Sequence, residues 1–190
     1  MTKNILLVGV GGQGTILASK LLTIGLMEAG YDVKMSEIHG MSQRGGSVSS
    51  QVRYGEKVYS PVIELGGADI LVSFEQMEAL RWLEYLKPGG RIIVNDFRIA
   101  PMLVISGKEE YATDIVDYLK SKAPTTVFDA AGEAMELGSD KVMNLILLGA
   151  TIKLMGLTGI DWETIVRENV KQDFVDINLK ALRRGQELAG

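Results

Sequence analysis

Residues 35–50, MSEIHGMSQRGGSVSS, gather the only histidine of the chain, an arginine, two adjacent glycines and several hydroxyls into one connection between apolar runs. Arg44 sets a guanidinium fork beside the backbone amides of Gly45 and Gly46, and Ser42, Gln43 and Ser47 add neutral donors. Such a set suits phosphate or carboxylate groups, which arginine grips bidentately. A solvated connection, or one whose polar groups pin its own turn, has the same composition, so both readings stand at this point. His39 reads as a hydrogen-bonding loop residue before it reads as a proton-transfer group, and Met35 and Met41 read as packing or interface.

A second donor-rich loop lies near the N-terminus. Gly9, Gly11 and Gly14 in GVGGQG match G-x-G-x-x-G, with Gly12 as an extra glycine. Glycines at this spacing let the backbone turn tightly after a strand and let an anion approach the amides at the start of the next helix. The motif follows an apolar run and opens a helical pattern, the context it requires. An anion or a nucleotide is expected there, with a purely structural turn as the alternative. Glu37, at the end of the second predicted strand, stands where a carboxylate would hold an NAD ribose, so a free-standing NAD-dependent oxidoreductase is one reading. An adenylating enzyme of the ubiquitin-activating type, which also uses a Gly-x-Gly-Gly-x-Gly loop, is another. Against the nicotinamide reading, the chain runs into the polar loop where a dinucleotide-binding half would continue into a helix and a third parallel strand.

The elements that must position these loops follow from periodicity. Residues 4–9, NILLVG, read as a strand buried on both faces. The helix after the glycine loop places Ile16, Leu17, Leu21, Ile24 and Met27 at helical spacing and stops at Gly30. Residues 31–37 alternate as a second strand. Residues 47–54 and 57–60, joined by a Gly-Glu turn, read as a β-hairpin after that strand. Only nine residues separate 37 from 47, too few for a parallel crossover, so part of the sheet is expected to be antiparallel. Parallel grammar resumes with a strand at 68–74, a helix at 75–86, a strand at 91–96, a helix at 109–122 and an edge-like strand at 125–129. Helices at 130–137, capped by Asp129, at 141–155, capped by Ser139 or Asp140, and from Asp161 onward complete the chain. In the last segment Trp162, Ile165, Val166, Val170, Phe174, Ile177 and Ala181 share a face, and Glu163 and Arg167 form an i,i+4 pair. The fold class is α/β: a Rossmann-like open mixed sheet flanked by helices, in one domain spanning 1–190.

Composition narrows the chemistry. A chain of 190 residues with 46% hydrophobic and 23% charged content builds an ordinary core without staples. A net charge of −4 gives no electrostatic footprint for nucleic acid. With no cysteine, disulfides, thiolate zinc sites, cysteine nucleophiles and iron–sulfur clusters held by this chain are excluded. One histidine excludes a multi-histidine metal site. The apolar run at the N-terminus is shorter than a signal-peptide core, and 142–156 carries Asn144 and Lys153 and falls short of a membrane span. A soluble, cytoplasmic protein is expected.

The segments GVGGQGTILASKLL, SEIHGMSQRGGSV, SPVIELGGADILVSFEQMEALR, LKPGGRIIVN and KVMNLILLGA, in this order and spacing, resemble the gamma domain of the 2-oxoacid:ferredoxin oxidoreductases. The second segment favours the indolepyruvate branch. The resemblance covers nearly the whole chain. It implies an accessory subunit of an enzyme that decarboxylates a 2-oxoacid on thiamine diphosphate, forms an acyl-coenzyme A and reduces ferredoxin. It places the thiamine diphosphate and iron–sulfur clusters in a large partner subunit, with no cofactor held by this chain alone and coenzyme A shared at the subunit interface. Carried onto this sequence, it points to Gly11, Gly12, Gln13 and Gly14 for coenzyme A phosphates. Arg44, Gly45 and Gly46 would meet coenzyme A or the partner. It offers no catalytic residue and no metal ligand. A homodimer of the isolated subunit would be unsurprising.

Overall fold

The computed structural model describes residues 2–39 and 45–190. Six strands form one sheet: β1 (Lys3–Val10), β2 (Asp32–His39), β3 (Ser47–Gly55), β4 (Ala68–Ser73), β5 (Leu86–Asn95) and β6 (Thr125–Phe128), in the order β2-β3-β1-β4-β5-β6. β1, β4, β5 and β6 are parallel, while β3 runs antiparallel to both of its neighbours, β1 and β2. The expected mixed sheet is therefore present, and the short 37–47 connection does enforce an antiparallel pair.

The hairpin differs from the sequence reading. It is made by β2 and β3 themselves, and 57–60 forms no strand. Both edges of β3 are occupied, by β1 on one side and β2 on the other, which leaves no edge for 57–60 to join. Its polar backbone groups are met by side chains instead. Asp32 Oδ2 accepts from the Val58 amide at 2.9 Å, and Arg53 Nη1 donates to the carbonyls of Ser60 and Val62 at 3.0 and 2.8 Å. This satisfies the backbone of the segment without a ladder.

Side chains alternate across the sheet as a strand period demands. Ile5, Leu7, Val52, Ile70, Val72 and Ile93 face α1 (Thr15–Glu28), α5 (Ala130–Glu136), α6 (Met143–Leu154), α7 (Trp162–Asn169) and α8 (Val175–Leu188) in the larger core. Leu6, Val8 and Leu71 face the opposite way against Ile63, while Ile92 and Val94 meet α2 (Gln76–Arg81) and α4 (Ile115–Lys122). A short turn of helix, α3 (Met102–Ile105), lies in the 96–114 connection. In α6 ten consecutive residues, Met143 to Ile152, are buried, as expected of a helix that is apolar all round.

Several local expectations change. The helix expected at 75–86 ends at Arg81, β5 begins at Leu86 rather than at 91, and the helix expected at 109–122 begins at Ile115. Helix α1 buries Thr15, Ala18, Ser19, Leu21, Leu22, Gly25 and Leu26 and leaves Ile16 and Met27 exposed. Its sequence is apolar on nearly every side, so spacing alone does not choose a face. Packing chooses it: a Cβ on Gly25 would fall 2.4 Å from the Trp162 ring, so α7 closes on the glycine side. The segment from Asp161 is two helices, with a 3-10 turn (Gln172–Phe174) between them. Glu163 pairs with Arg183 across α7 and α8 rather than with Arg167.

Candidate functional site

The glycine loop leaves β1 at Val10 and enters α1 at Thr15. Gly12 and Gly14 have φ of 107° and 85°, a left-handed region that β-carbon-bearing residues rarely adopt. Gly14 is the N-cap of α1 and brings no side chain to satisfy the first amides of the helix. Those amides therefore remain available for an anion, and the helix dipole favours one. Gly14 is also pressed by its surroundings: Asn144, at the start of α6, donates from Nδ2 to the Gly14 carbonyl at 3.2 Å, and a Cβ there would lie 2.7 Å from that nitrogen.

Gln13 has a different part from the phosphate contact expected of it. Its Oε1 accepts from the Val10 amide at 2.8 Å and its Nε2 donates to the Phe74 carbonyl at 3.0 Å. The side chain thus bridges the C-terminal ends of the neighbouring parallel strands β1 and β4. The helices that follow these strands, α1 and α2, pack on opposite faces, which makes this the switch point of the sheet. In a dinucleotide fold that crevice is open; here an amide fills it. Asn95 continues the row, donating to the same Phe74 carbonyl at 3.1 Å and accepting from the Ala130 amide at 2.9 Å.

The two donor-rich loops are joined through their backbones. The Gly11 amide donates to the Gly46 carbonyl at 2.9 Å, and the Gly45 amide points back to the Gly11 carbonyl at 3.4 Å. These bonds extend the β1–β3 ladder, whose last pair is Val10 with Ser47. Arg44, Ser42, Gln43 and Met41 lie outside the described residues. The Ser47 hydroxyl, expected as a free donor, is engaged: it donates to Glu78 Oε2 at 2.5 Å.

On the other side of the glycine loop a cavity of about 580 Å³ opens, lined by Gly12, Gln13, Gly14, Asp96, Phe97, Asp129, Ala131, Gly132, Met135, Asp140, Lys141 and Met143. Lys141 makes no ion pair among the described residues. Asp129 caps α5 through the Gly132 amide at 2.8 Å, and Asp96 accepts from Gln76 Nε2. Amides and one ammonium suit phosphate oxygens, whereas the carboxylates suit hydroxyls or an exocyclic amine, so the cavity matches a ligand with both. Asp96 and Lys141 were missed by motif reading. For Asp96 the signal was positional: it lies just beyond the end of β5, where ligands collect in open α/β sheets. Lys141, in the 3-10 turn between α5 and α6, carried no such signal. Among the described residues no group of three His, Asp or Glu side chains could hold a metal ion. No helix among them is long and apolar enough to cross a membrane.

The comparisons with known proteins now decide the family. Residues 4–188 match the family described as pyruvate ferredoxin/flavodoxin oxidoreductase. The chain belongs to that family. It is 39% identical to indolepyruvate oxidoreductase subunit IorB of Thermococcus kodakarensis, across 98% of this chain and 95% of the relative. Among solved structures, the gamma subunit of a keto/oxoacid ferredoxin oxidoreductase from Geobacter sulfurreducens matches with a TM-score of 0.73 at 26% identity, covering 98% of each chain. A 2-oxoglutarate:ferredoxin oxidoreductase from Magnetococcus marinus, with 2-oxoglutarate, coenzyme A and succinyl-CoA bound, shares the fold at a TM-score of 0.78 and 19% identity. There the match covers 99% of this chain and 31% of the larger one.

The resemblance read from the motifs is thereby borne out, and the NAD alternative is not supported. Geometry agrees with its rejection. β3 intervenes between β1 and β2, so the end of β2 stands two strand spacings, about 10 Å, from the end of β1. Glu37 on that strand accepts from Ser19 Oγ of α1 at 3.0 Å.

Proposed function

We propose that this chain is the small accessory subunit of an indolepyruvate-type 2-oxoacid:ferredoxin oxidoreductase. The complex oxidatively decarboxylates an aryl pyruvate to its acyl-coenzyme A and passes the electrons to ferredoxin. The observation that carries this reading is the end-to-end 39% identity to a subunit named for indolepyruvate oxidation. The residue inventory is consistent with an accessory role. Without cysteine the chain has no thiolates for a cluster, so the iron–sulfur clusters belong to a partner subunit, and the family resemblance puts thiamine diphosphate there too. The reading places the complex in the cytoplasm with its ferredoxin, and leaves the isolated subunit free to pair with a second copy through the face meant for the partner.

The ligand assigned to this chain is coenzyme A, shared with the partner. When bound, it supplies the thiol that accepts the acyl group. Within the Gly11–Gly14 loop the amides of Gly11 and Gln13 donate to the Gly46 and Val10 carbonyls, so the amides of Gly12 and Gly14 and the uncapped start of α1, together with Lys141, would hold phosphate oxygens. Asp96 and Asp140 at the cavity wall are suited to ribose hydroxyls or the adenine amine. Across the stitched loops Arg44 would add a guanidinium donor, with Gly45 and Gly46 shaping the backbone beside it; the Gly45 amide itself points to the Gly11 carbonyl. Gln13 shapes the loop rather than supplying a donor, since its side chain braces β1 to β4 and its amide donates to the Val10 carbonyl.

The test is an anaerobic pull-down of the native complex through this chain. Partner mass, iron and thiamine diphosphate are determined, and dye reduction dependent on aryl pyruvate and coenzyme A is assayed. A large, iron-rich, thiamine-containing partner with that activity, and an inactive isolated chain, is the expected result. Turnover of an aryl pyruvate by the isolated chain, or a native partner lacking both cofactors, would overturn it.

A further inference from the structure

Two conspicuous carboxylates in the segment SFEQMEALR are left unexplained by the ligand assignment. Glu75 and Glu78 are 1% and 5% exposed, at the entry to α2 on the face of the sheet opposite α1. Glu75 caps the helix, accepting from the Glu78 amide at 2.9 Å, and its other oxygen accepts from the Ile99 amide at 3.1 Å and from the Tyr111 hydroxyl. Its role is closed within that corner of the fold. Glu78 reaches elsewhere. One oxygen accepts from Arg81 Nε at 3.1 Å, and the other accepts from the hydroxyl of Ser47 at 2.5 Å. Trp82, in the next turn, points its indole N–H at the same hydroxyl at 3.4 Å.

Ser47 is the residue at which the Arg-Gly-Gly loop becomes strand. It pairs with Val10 at the end of β1, and the two residues before it carry the backbone bonds to Gly11. A serine hydroxyl bonded on one side to a buried carboxylate and approached on the other by an indole has its χ1 rotamer fixed, and with it the backbone leaving Gly46. We infer that the Glu78–Ser47–Trp82 cluster is a positioning device: it holds the start of β3 so that the Gly46 carbonyl stays bonded to the Gly11 amide and the glycine loop presents its free amides, those of Gly12 and Gly14, to the phosphate-bearing acyl acceptor. The inference rests on the coenzyme A reading above. None of the three side chains touches the ligand; they act through the backbone they anchor. The geometry also accounts for a constraint at 47 that free-donor chemistry does not. A hydroxyl meant for the ligand would be left open, whereas this one is spent on Glu78.

The test uses the assembled complex, with coenzyme A titrated at saturating aryl pyruvate. Ser47→Ala is expected to raise the KM for coenzyme A roughly tenfold, as loss of a hydrogen bond to a buried charge allows, while kcat and the KM for the aryl pyruvate stay within about twofold. Ser47→Thr, which keeps the hydroxyl, is expected to restore the coenzyme A KM. Should Ser47→Ala fail to fold, Trp82→Phe removes only the indole donor and is expected to raise the same KM about two- to threefold. A Ser47→Ala complex, or failing that a Trp82→Phe complex, that melts lower yet keeps the wild-type coenzyme A KM overturns the inference and makes the cluster a stability brace alone. An equal fall in kcat with either substrate varied overturns it too. A wild-type complex whose rate ignores coenzyme A overturns the ligand reading, and this inference with it.

Discussion

Asp69, in β4, ties the N-terminal ends of three strands together. Its carboxylate accepts from the Asn4 amide of β1 at 2.8 Å, pairs with Lys87 of β5 and lies 3.5 Å from Lys3. Burial works against its charge, but the Lys87 ammonium, the Asn4 amide and Lys3 outweigh burial and hold the carboxyl below the ordinary carboxylate range. A depressed acid stabilises the fold at any pH above its unfolded value near 4, and that contribution disappears as pH falls through the lower native value. Asp69→Asn is therefore expected to cost about 1 kcal/mol at pH 7, a small figure because both lysines are substantially exposed and screened. Urea midpoints should show a constant gap between variant and wild type from pH 7 to about 5, closing below about 4. Arg44 carries the other residue-level prediction. If it grips a phosphate, Arg44→Ala raises the coenzyme A KM by tenfold or more with the complex intact; loss of assembly at unchanged affinity would assign it to the partner. The tight turn of the glycine loop was legible because the positive φ angles of Gly12 and Gly14 suit glycine alone. Gln13 and Ser47 were not, because an amide or hydroxyl in a loop can serve a ligand or the fold, and only its neighbours decide.

Helices α6 and α8 meet backbone to backbone at two glycines. A Cβ on Gly185 would lie 1.8 Å from the Ile146 carbonyl oxygen, and one on Gly149 would lie 2.0 Å from the Leu182 carbonyl oxygen. Neither obstacle is a side-chain tip that could swing away, so the helices would have to separate. Gly185→Ala is expected to cost about 3 kcal/mol and to lower Tm by roughly 6–12 °C, measured by thermal unfolding. The consequence reaches the site, because α6 also presents Asn144 to Gly14 and begins beside Lys141. At this scale apolar runs bounded by glycine marked β1, β4 and the second half of β5, whose first half takes in the glycines read as a helix stop, and the edge position of β6 matched its half-buried, threonine-rich composition. The face of α1 and the partner of β3 were illegible. An apolar helix offers no moment to orient it, and a strand with alternating pattern does not announce which two neighbours it will have.

Over the whole molecule, the sheet gathers its polar loops at one edge and leaves a cavity of about 580 Å³ beside the glycine loop. A surface cleft of that size, open rather than enclosed by this chain, is what a ligand shared between two subunits requires. Removal of the partner should therefore abolish turnover without unfolding the subunit, which the pull-down of the native complex and a melting curve of the isolated chain would together establish.

Zero cysteines and one histidine were enough to exclude cluster chemistry in this chain, since a missing ligand atom cannot be supplied by folding. The glycine spacing and the apolar periods fixed the α/β class, because backbone freedom and the strand and helix repeats are local properties. Tertiary structure alone decided that β3 lies between β1 and β2, that an amide closes the switch point, and that Glu78 holds Ser47 across 31 residues of chain. Each of these depends on which distant groups fold into contact, a pairing that local pattern does not encode.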